Sequence, residues 1–588
     1  MTDISKDMLI NMLHPGIIMI AFGVITMLLP RPCRRPLSVV APACAFWAFL
    51  QMGDDSSLVY HLTPYIRMQF IHFDSIAYAF MMVFCVIALL NGIYGEGIQH
   101  RHECGMSMIY AGSVMGVILA GDLISLVIFW EISAFASMYV VYCKHDMTSE
   151  RASFRYILVH AFGGNMLLAG VIAYIFHYGN SIMNIADHME EPFFWLIAVG
   201  VAVNAAIPPL HSWLPDAYPE STATGTVYLS SFTTKAAIYL MIRMFAGIDV
   251  LIWIGAVVSV YAACMAIMEN NIRRLLAYHI ISQLGMMIAA IGAGGEAGID
   301  AATAHAFTNI LFKGVLMMGA GAVMYASGRS KITELGGLAK KMPVTAACFL
   351  ISSLAIAGLP GLSGFVSKAL ITEAVTSSGH DTAAILLTAG GVGTLLSITL
   401  KINWFVFFGP CENEKDSEIT RKVPVTMNAA MIIGTVLTIL IGAFPGRFYA
   451  LMPYGTNAHP YHMAHVLEYI AIFVGGSIPF FICIKKMKPH DEITLDFDWF
   501  YRVVLNRLVL WISGVTEGIF ARCGRHASKA AEYLRTHFGD PYLWTGESSS
   551  VKVRKLSFEN ESRLIGDVMT VIVLAFTVML ALAAYLAS

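Results

Sequence analysis

Charge is what this sequence lacks most. Only 13% of its 588 residues are charged, about half the roughly 25% of a soluble globular chain. Neither sign prevails: 37 Lys+Arg stand against 39 Asp+Glu, a net −2. The basic excess that a nucleic-acid binder spends on phosphates is therefore missing. Cysteine occurs ten times, never as a CxxC pair, and mostly within apolar runs. Iron–sulfur and zinc sites need clustered thiolates, and a disulfide framework needs exposed spacing. The ten read as small buried hydrophobes. No metal, cofactor, nucleotide motif or substrate pocket is expected, so catalysis and any redox chemistry belong to another subunit. Met1 to Asn11 is polar, with one Lys and two Asp, unlike the cationic lead-in of a cleaved signal.

What fills the chain is apolar. Hydrophobic residues make up 57% of it and mean hydropathy is +0.68, which excludes a soluble multidomain protein. Sixteen apolar runs of span length can be read from Pro15 to the C-terminus, predicting an all-α polytopic membrane protein. Lys and Arg fall in alternate connections: Arg31, Arg34 and Arg35, then Lys144 and Arg151, Arg273 and Arg274, Arg329 to Lys341, and Lys485 to Lys488. The connections 121–122, 180–191 and 292–300 are acidic or nearly uncharged. This alternation puts the basic loops in the cytoplasm and both termini outside, in a bacterial inner membrane.

Two spans are interrupted. Pro208 and Pro209 break the seventh, and Gly358, Pro360, Gly361 and Gly364 break the twelfth. Broken helices at corresponding places of two halves point to a transport path, and their offset of five spans inverts one five-helix unit relative to the other. Residues 485–565 differ from the rest. They hold ten Lys or Arg from Arg502 to Arg563, and Arg502, Asn506, Ser513, Thr516 and Glu517 share one helical face. An amphipathic helix on the cytoplasmic surface is expected there, leading to a final span at 566–586.

A charge at span centre costs about 2.5–3.5 kcal/mol on insertion scales. Glu131, Lys235, His305, Lys313 and Lys368 all lie mid-span, as does His279, and a proton relay accounts for them better than snorkelling does. His305 and Lys313 are eight apart, two turns along one face. Lys401 and Arg243, near span ends, read as snorkelling, and His160 as a hydrogen-bonded core histidine.

The stretch Ile207-Pro208-Pro209-Leu210-His211-Ser212-Trp213-Leu214-Pro215-Asp216-Ala217 resembles a hallmark of the antiporter-like subunits of respiratory complex I and of Mrp-type cation/proton antiporters. So do Arg273-Arg274…Tyr278, Ser282-Gln283…Gly285, His305…Lys313, Gly336-Gly337-Leu338 and Gly358…Lys368; the stretch around Lys235 is most similar to the D-type member of Mrp antiporters. The resemblance implies fourteen core helices with two inverted five-helix repeats, each holding a proton half-channel. It divides the chain into spans 1–3 (1–104), two half-channels (105–246 and 247–409), spans 14–15 (410–484), the lateral segment (485–565) and a last span (566–588). Glu131 takes the place of the helix-five glutamate, Lys235 of a helix-eight lysine, His305 and Lys313 of the helix-eleven pair, and Lys368 of the helix-twelve lysine. Asn204 stands where many members carry the helix-seven lysine, and Asn309 where many carry a second histidine; His279 replaces a serine. Lys235 is then the expected ionic partner of Glu131. The implied function is proton translocation in exchange for Na+ or another cation, beside other membrane subunits. A proton-pumping subunit of a redox complex, such as NADH:quinone oxidoreductase or a membrane-bound hydrogenase, is the alternative, and a non-conducting scaffold the third.

Overall fold

A computed structural model describes residues 13–538, apart from 54–55, 63–66, 97, 99–100, 411–417, 457, 485–487, 491–495 and 498. The expected last span lies outside the described residues. Two compact units divide the chain, 1–494 and 495–588.

In the first unit the helices are α1 (Pro15–Leu28), α2 (Arg31–Leu50), α3 (Ser75–Gly95), α4 (Arg101–Leu119), α5 (Leu123–Tyr142) and α6 (Met147–Tyr178). Span seven is α7 (Pro192–Asn204), an irregular stretch over the two prolines, and α8 (Trp213–Ala217). Span eight is also broken, at Phe232, into α9 (Gly225–Ser231) and α10 (Thr233–Met244). Then come α11 (Asp249–Met268), α12 (Ile272–Ala293) and α13 (Gly295–Ser327). Span twelve is α14 (Pro343–Ala357) and α15 (Ser363–Ser377), parted at the expected glycines. Span thirteen starts as α16 (Asp381–Thr394) and continues as a π-helix, Leu395–Phe408. The helices α17 (Val425–Ala443), α18 (Pro445–Tyr449) and α19 (Met463–Ile482) complete the unit.

Ten helices among the described residues are long and apolar enough to cross a membrane, and three shorter apolar ones accompany them. Nine of the ten are expected spans and the tenth is the helix that starts at Asn506. Of the other seven expected spans, the first is short, seven, eight and twelve are split into halves, α2 and α4 begin in charged residues, and the last lies outside the described residues. One feature departs from an all-helical chain: β1 (Ser57–His61) and β2 (Arg67–His72) form an antiparallel hairpin between α2 and α3.

Loop contacts sort the connections by face, as the charge alternation predicts. Asp122 accepts from the Gln69 backbone at 2.6 Å and from Asn180 at 2.8 Å, tying the hairpin to the connections that follow α4 and α6. At the other end Lys144 pairs with Asp146 (2.9 Å) and Glu220 (3.4 Å), and Arg155 holds Asp216 at 2.7 and 2.9 Å. Asp146 caps α6: burial raises its pKa, but Lys144 and the hydrogen bonds from Ser149 and Thr148 outweigh that and hold it below the usual carboxylate range. The central helices α12 and α13 are buried along nearly their whole length. In lipid, helices gain little from burying apolar surface and pack instead through small residues. Gly255 on α11 meets the backbone of Gly285 and Ala289 on α12 in this way.

In the second unit a π turn, Phe500–Leu505, leads into α20 (Asn506–Phe538). A helix thus occupies part of the segment where an amphipathic one is expected. Its first half exposes Leu508, Val509, Leu510, Trp511 and Ile512, and Arg522, Arg525 and Lys529 follow. By length and composition it is apolar enough to cross a membrane.

Candidate functional site: a buried chain of ionisable groups

The breaks leave backbone carbonyls without helical partners, and lysines reach for them. Lys235, in the first turn of α10, donates to the carbonyl of Ser230 at 2.9 Å, the penultimate residue of α9. Lys368 on α15 donates at 2.6 Å to the carbonyl of Ile356, the penultimate residue of α14. Each lysine therefore sits across a helix break, its charge against the negative end of the helix dipole. Gly358, in the left-handed region at φ 95°, makes the second break possible.

Lys235, His279, His305 and Lys313 are fully buried, and Lys368 is 4% exposed. His305 lies 2.9 Å from Ser367 and 3.2 Å from Gln283, and Thr308 donates to Ser367 at 2.8 Å. His279 lies 2.5 Å from Ser397 on the π-helix and 3.4 Å from Thr394. Lys313 Nζ, both polar atoms of Asn309 and the Gln283 amide nitrogen have no hydrogen-bond partner among the described residues. Buried polar atoms seldom stay so, and this row has polar groups enough to hold bridging water. The groups also act on one another electrostatically: Lys235 on Lys313 and His305, Lys368 on His305 and His279, and Lys313 on His279. Five of the expected residues thus form one connected group. A small cavity of about 20 Å³ lies beside Lys368, with Thr372 and Tyr469 in its lining.

The first half differs from expectation. No ion pair joins Glu131 to Lys235, whose ammonium is bonded to Ser230 instead. Glu131 is half-buried and rests against the bare Cα of Gly164 on α6, where a Cβ would collide with its Oε1. Asn204 is buried at the end of α7 near His160, which stacks on Tyr156 (4.0 Å between centroids) and meets Trp213 edge-on. His160 is the hydrogen-bonded core histidine expected, with Asn204 as its side-chain partner, while its Nε2 atom has no partner among the described residues. Arg243 does not snorkel: it grips Asp74 with two bonds of 2.6 Å. Neither does Lys401, which is 3% exposed and bonded to backbone.

Sequence reasoning missed the hydroxyls. Tyr156 donates to Ser137 at 2.9 Å, and Tyr110 is paired with Thr233, two residues before Lys235. A buried carboxylate, Glu103, accepts from Thr222 and Thr224 at a wide cavity that Lys144, Tyr325 and Arg421 also line. Hydroxyls carry no hydropathy penalty large enough to stand out in a span, so only their positions in space reveal them. No cluster of three metal-ligating side chains occurs among the described residues.

A family model described as NADH:quinone oxidoreductase/Mrp antiporter, transmembrane, matches residues 120–397. The Na(+)/H(+) antiporter subunit A1 of Staphylococcus haemolyticus is 28% identical over 443 residues, 67% of this chain and 55% of that protein. The chain therefore spans about half the length of that relative, which is an A-type member where the Lys235 stretch suggested the D type. Among solved structures, a chain of the Mrp complex from Dietzia sp. DQ12-45-1b aligns with TM-score 0.67 at 22% identity, covering 80% of this chain and 100% of that one. A chain of a membrane-bound sulfane sulfur reductase, an archaeal respiratory membrane complex, aligns with TM-score 0.68 at 22% identity, covering 91% and 98%. These likenesses bear out the polytopic helical fold with its broken helices.

Proposed function

We propose that this chain, whose residues 120–397 match the NADH:quinone oxidoreductase/Mrp antiporter family model, is a proton-translocating subunit of a multisubunit Na+/proton antiporter. It is a multi-pass membrane protein. The observation that carries the reading is the connected, fully buried group of Lys235, Lys313, His279 and His305 with Lys368 at its end. Buried basic groups that act on one another in a low-dielectric interior titrate as a set. A proton arriving at one drives a proton off the next, and the charge moves along the row. Glu131 serves the first half with no ionic partner among the described residues, and Asn204 and Asn309 offer the path buried amide atoms free to bond.

The basic loops face the cytoplasm of a bacterial inner membrane, which puts both termini outside and 485–565 inside. Other membrane subunits of the assembly cover the exposed apolar surface of α20. A second reading, a proton-pumping subunit of a redox complex, is favoured by the 91% of the chain that aligns with the sulfane sulfur reductase chain. Iron in the purified assembly decides between the two.

Replacing Lys368 tests the relay. Lys368→Ala should abolish ion-driven proton movement in membrane vesicles while the complex assembles normally, and Lys368→Arg should not restore it, because a guanidinium keeps its proton. Transport at the native rate by the Ala variant would remove Lys368 from the path.

A further inference from the structure

Spans seven and twelve, five apart, are both broken. The same offset joins spans eight and thirteen, and both of these depart from α geometry: span eight is broken at Phe232, and span thirteen winds as a π-helix from Leu395 to Phe408. Fourteen residues of π-helix are rare, and π geometry concentrates at functional sites. Each irregular stretch carries one buried lysine, Lys235 in span eight and Lys401 in span thirteen.

The two lysines share their local chemistry. Lys235 binds the penultimate carbonyl of α9, and Lys368 that of α14. Lys401 Nζ donates at 2.6 Å to the carbonyl of Ile267, the penultimate residue of α11, and at 2.8 Å to that of Glu269. The charged face of the chain begins directly beyond, where the Glu269 carboxylate pairs with Arg274 at 3.2 Å.

Polar groups continue from Lys401 towards His279. In a helix with i→i+5 winding, residues four and five apart stand one above the other, so Ser397, 2.5 Å from His279, stands above Lys401. On the neighbouring face Thr399 donates to the Ser353 carbonyl at 2.7 Å and Asn403 to the Ser353 hydroxyl at 2.8 Å. Asn403 Oδ1 and Ser352 Oγ are buried without a partner among the described residues. The π-helix thus carries hydroxyl and amide groups between its contact with His279 and the carbonyls of Ile267 and Glu269, in a segment otherwise made of Leu, Ile, Val, Trp and Phe.

We propose that Lys401 is a proton-carrying residue, the second-half counterpart of Lys235, and that the π-helical segment conducts protons between the basic face of the chain and His279. Lys401 takes a proton from the aqueous side and passes it inward. Ser397, whose hydroxyl donates to the Gly393 carbonyl at 2.6 Å, turns that proton to the histidine as it receives the new one at Oγ, so that no net charge stays on the serine. This deepens the translocation reading above and rests on it.

The competing role is a cap: a lysine that only satisfies the C-terminal carbonyls of α11. Arginine separates the two, since it can donate to the same carbonyls but cannot give up a proton. The assembled complex in membrane vesicles is assayed for ion-driven proton movement with Lys401→Arg, Lys401→Met, Ser397→Ala and, as reference, Lys368→Ala. We expect Lys401→Arg and Lys401→Met each to slow transport at least tenfold in complexes present at native amounts. Ser397→Ala, which leaves the cap untouched, should slow it severalfold and change its dependence on pH at the basic face. Native transport by Lys401→Arg overturns the proposal and leaves a cap. If Lys401→Met does not assemble, the Arg and Ser397→Ala variants decide, and native rates in both overturn it as well. Should Lys368→Ala also transport normally, the translocation reading itself falls; should Lys368→Ala alone be inactive, that reading stands and only the Lys401 proposal is lost.

Discussion

Glu131 shows at the scale of one residue what hydropathy can and cannot tell. A carboxylate in the middle of Phe129-Trp130-Glu131-Ile132 stands out in any window, because nothing else in the span has comparable insertion cost. Its surroundings do not stand out. The sequence offered Lys235 as a cation for it, yet that ammonium is bonded to Ser230, and the space beside Glu131 is made by an absent side chain, Gly164. A contact made by the lack of a Cβ leaves no trace in composition. Gly164→Ala should therefore push the carboxylate from its place and cut transport several-fold, with the complex still assembled, as measured by proton uptake into vesicles matched for complex content. An unchanged rate would show that the carboxylate position is immaterial. The lysines were legible for the same reason as Glu131, and Lys401 was misread because a lysine near a span end has a cheaper explanation in snorkelling.

At the scale of elements, the breaks that contain proline or glycine could be read directly, since both residues disfavour a continuous helix. Span twelve parts where Gly358 and Gly361 adopt positive φ. The break at Phe232 and the π-helix over Leu395–Phe408 contain neither residue, and tertiary contacts alone decide them: Tyr110 holds the backbone and side chain of Thr233, and Ser397 and Asn403 bind neighbouring helices. Close helix approach is likewise a matter of small residues. Gly255→Val would force a side chain into the backbone of Gly285 and Ala289, where overpacking costs about 1–3 kcal/mol. The amount of assembled complex on a native gel should fall, and its thermal midpoint should drop. Native yield and midpoint would mean that α11 and α12 can separate without loss.

At the scale of the whole molecule, the alternation of Lys and Arg between connections correctly grouped the loops that meet in space, since Asp122 joins one set and Lys144 and Arg155 the other. Which set faces the cytoplasm is a matter of charge alone. Single cysteines at Lys529 and at Glu190, introduced into a chain whose other reactive thiols are blocked, are probed in intact spheroplasts with an impermeant reagent. Glu190 should label and Lys529 should not; the reverse pattern would turn the chain over.

The transport expectations lean on one claim, that buried cations pass protons along a row. Lys313 is the place to test it, because it is fully buried, has no hydrogen-bond partner among the described residues, and is acted on electrostatically by Lys235. A lysine with no structural bond to lose can be replaced without disturbing the helices around it. Proton movement driven by a Na+ gradient is to be measured in vesicles holding the assembled complex with Lys313→Met. The account predicts a fall of at least tenfold at unchanged complex content, and transport at the native rate would contradict it.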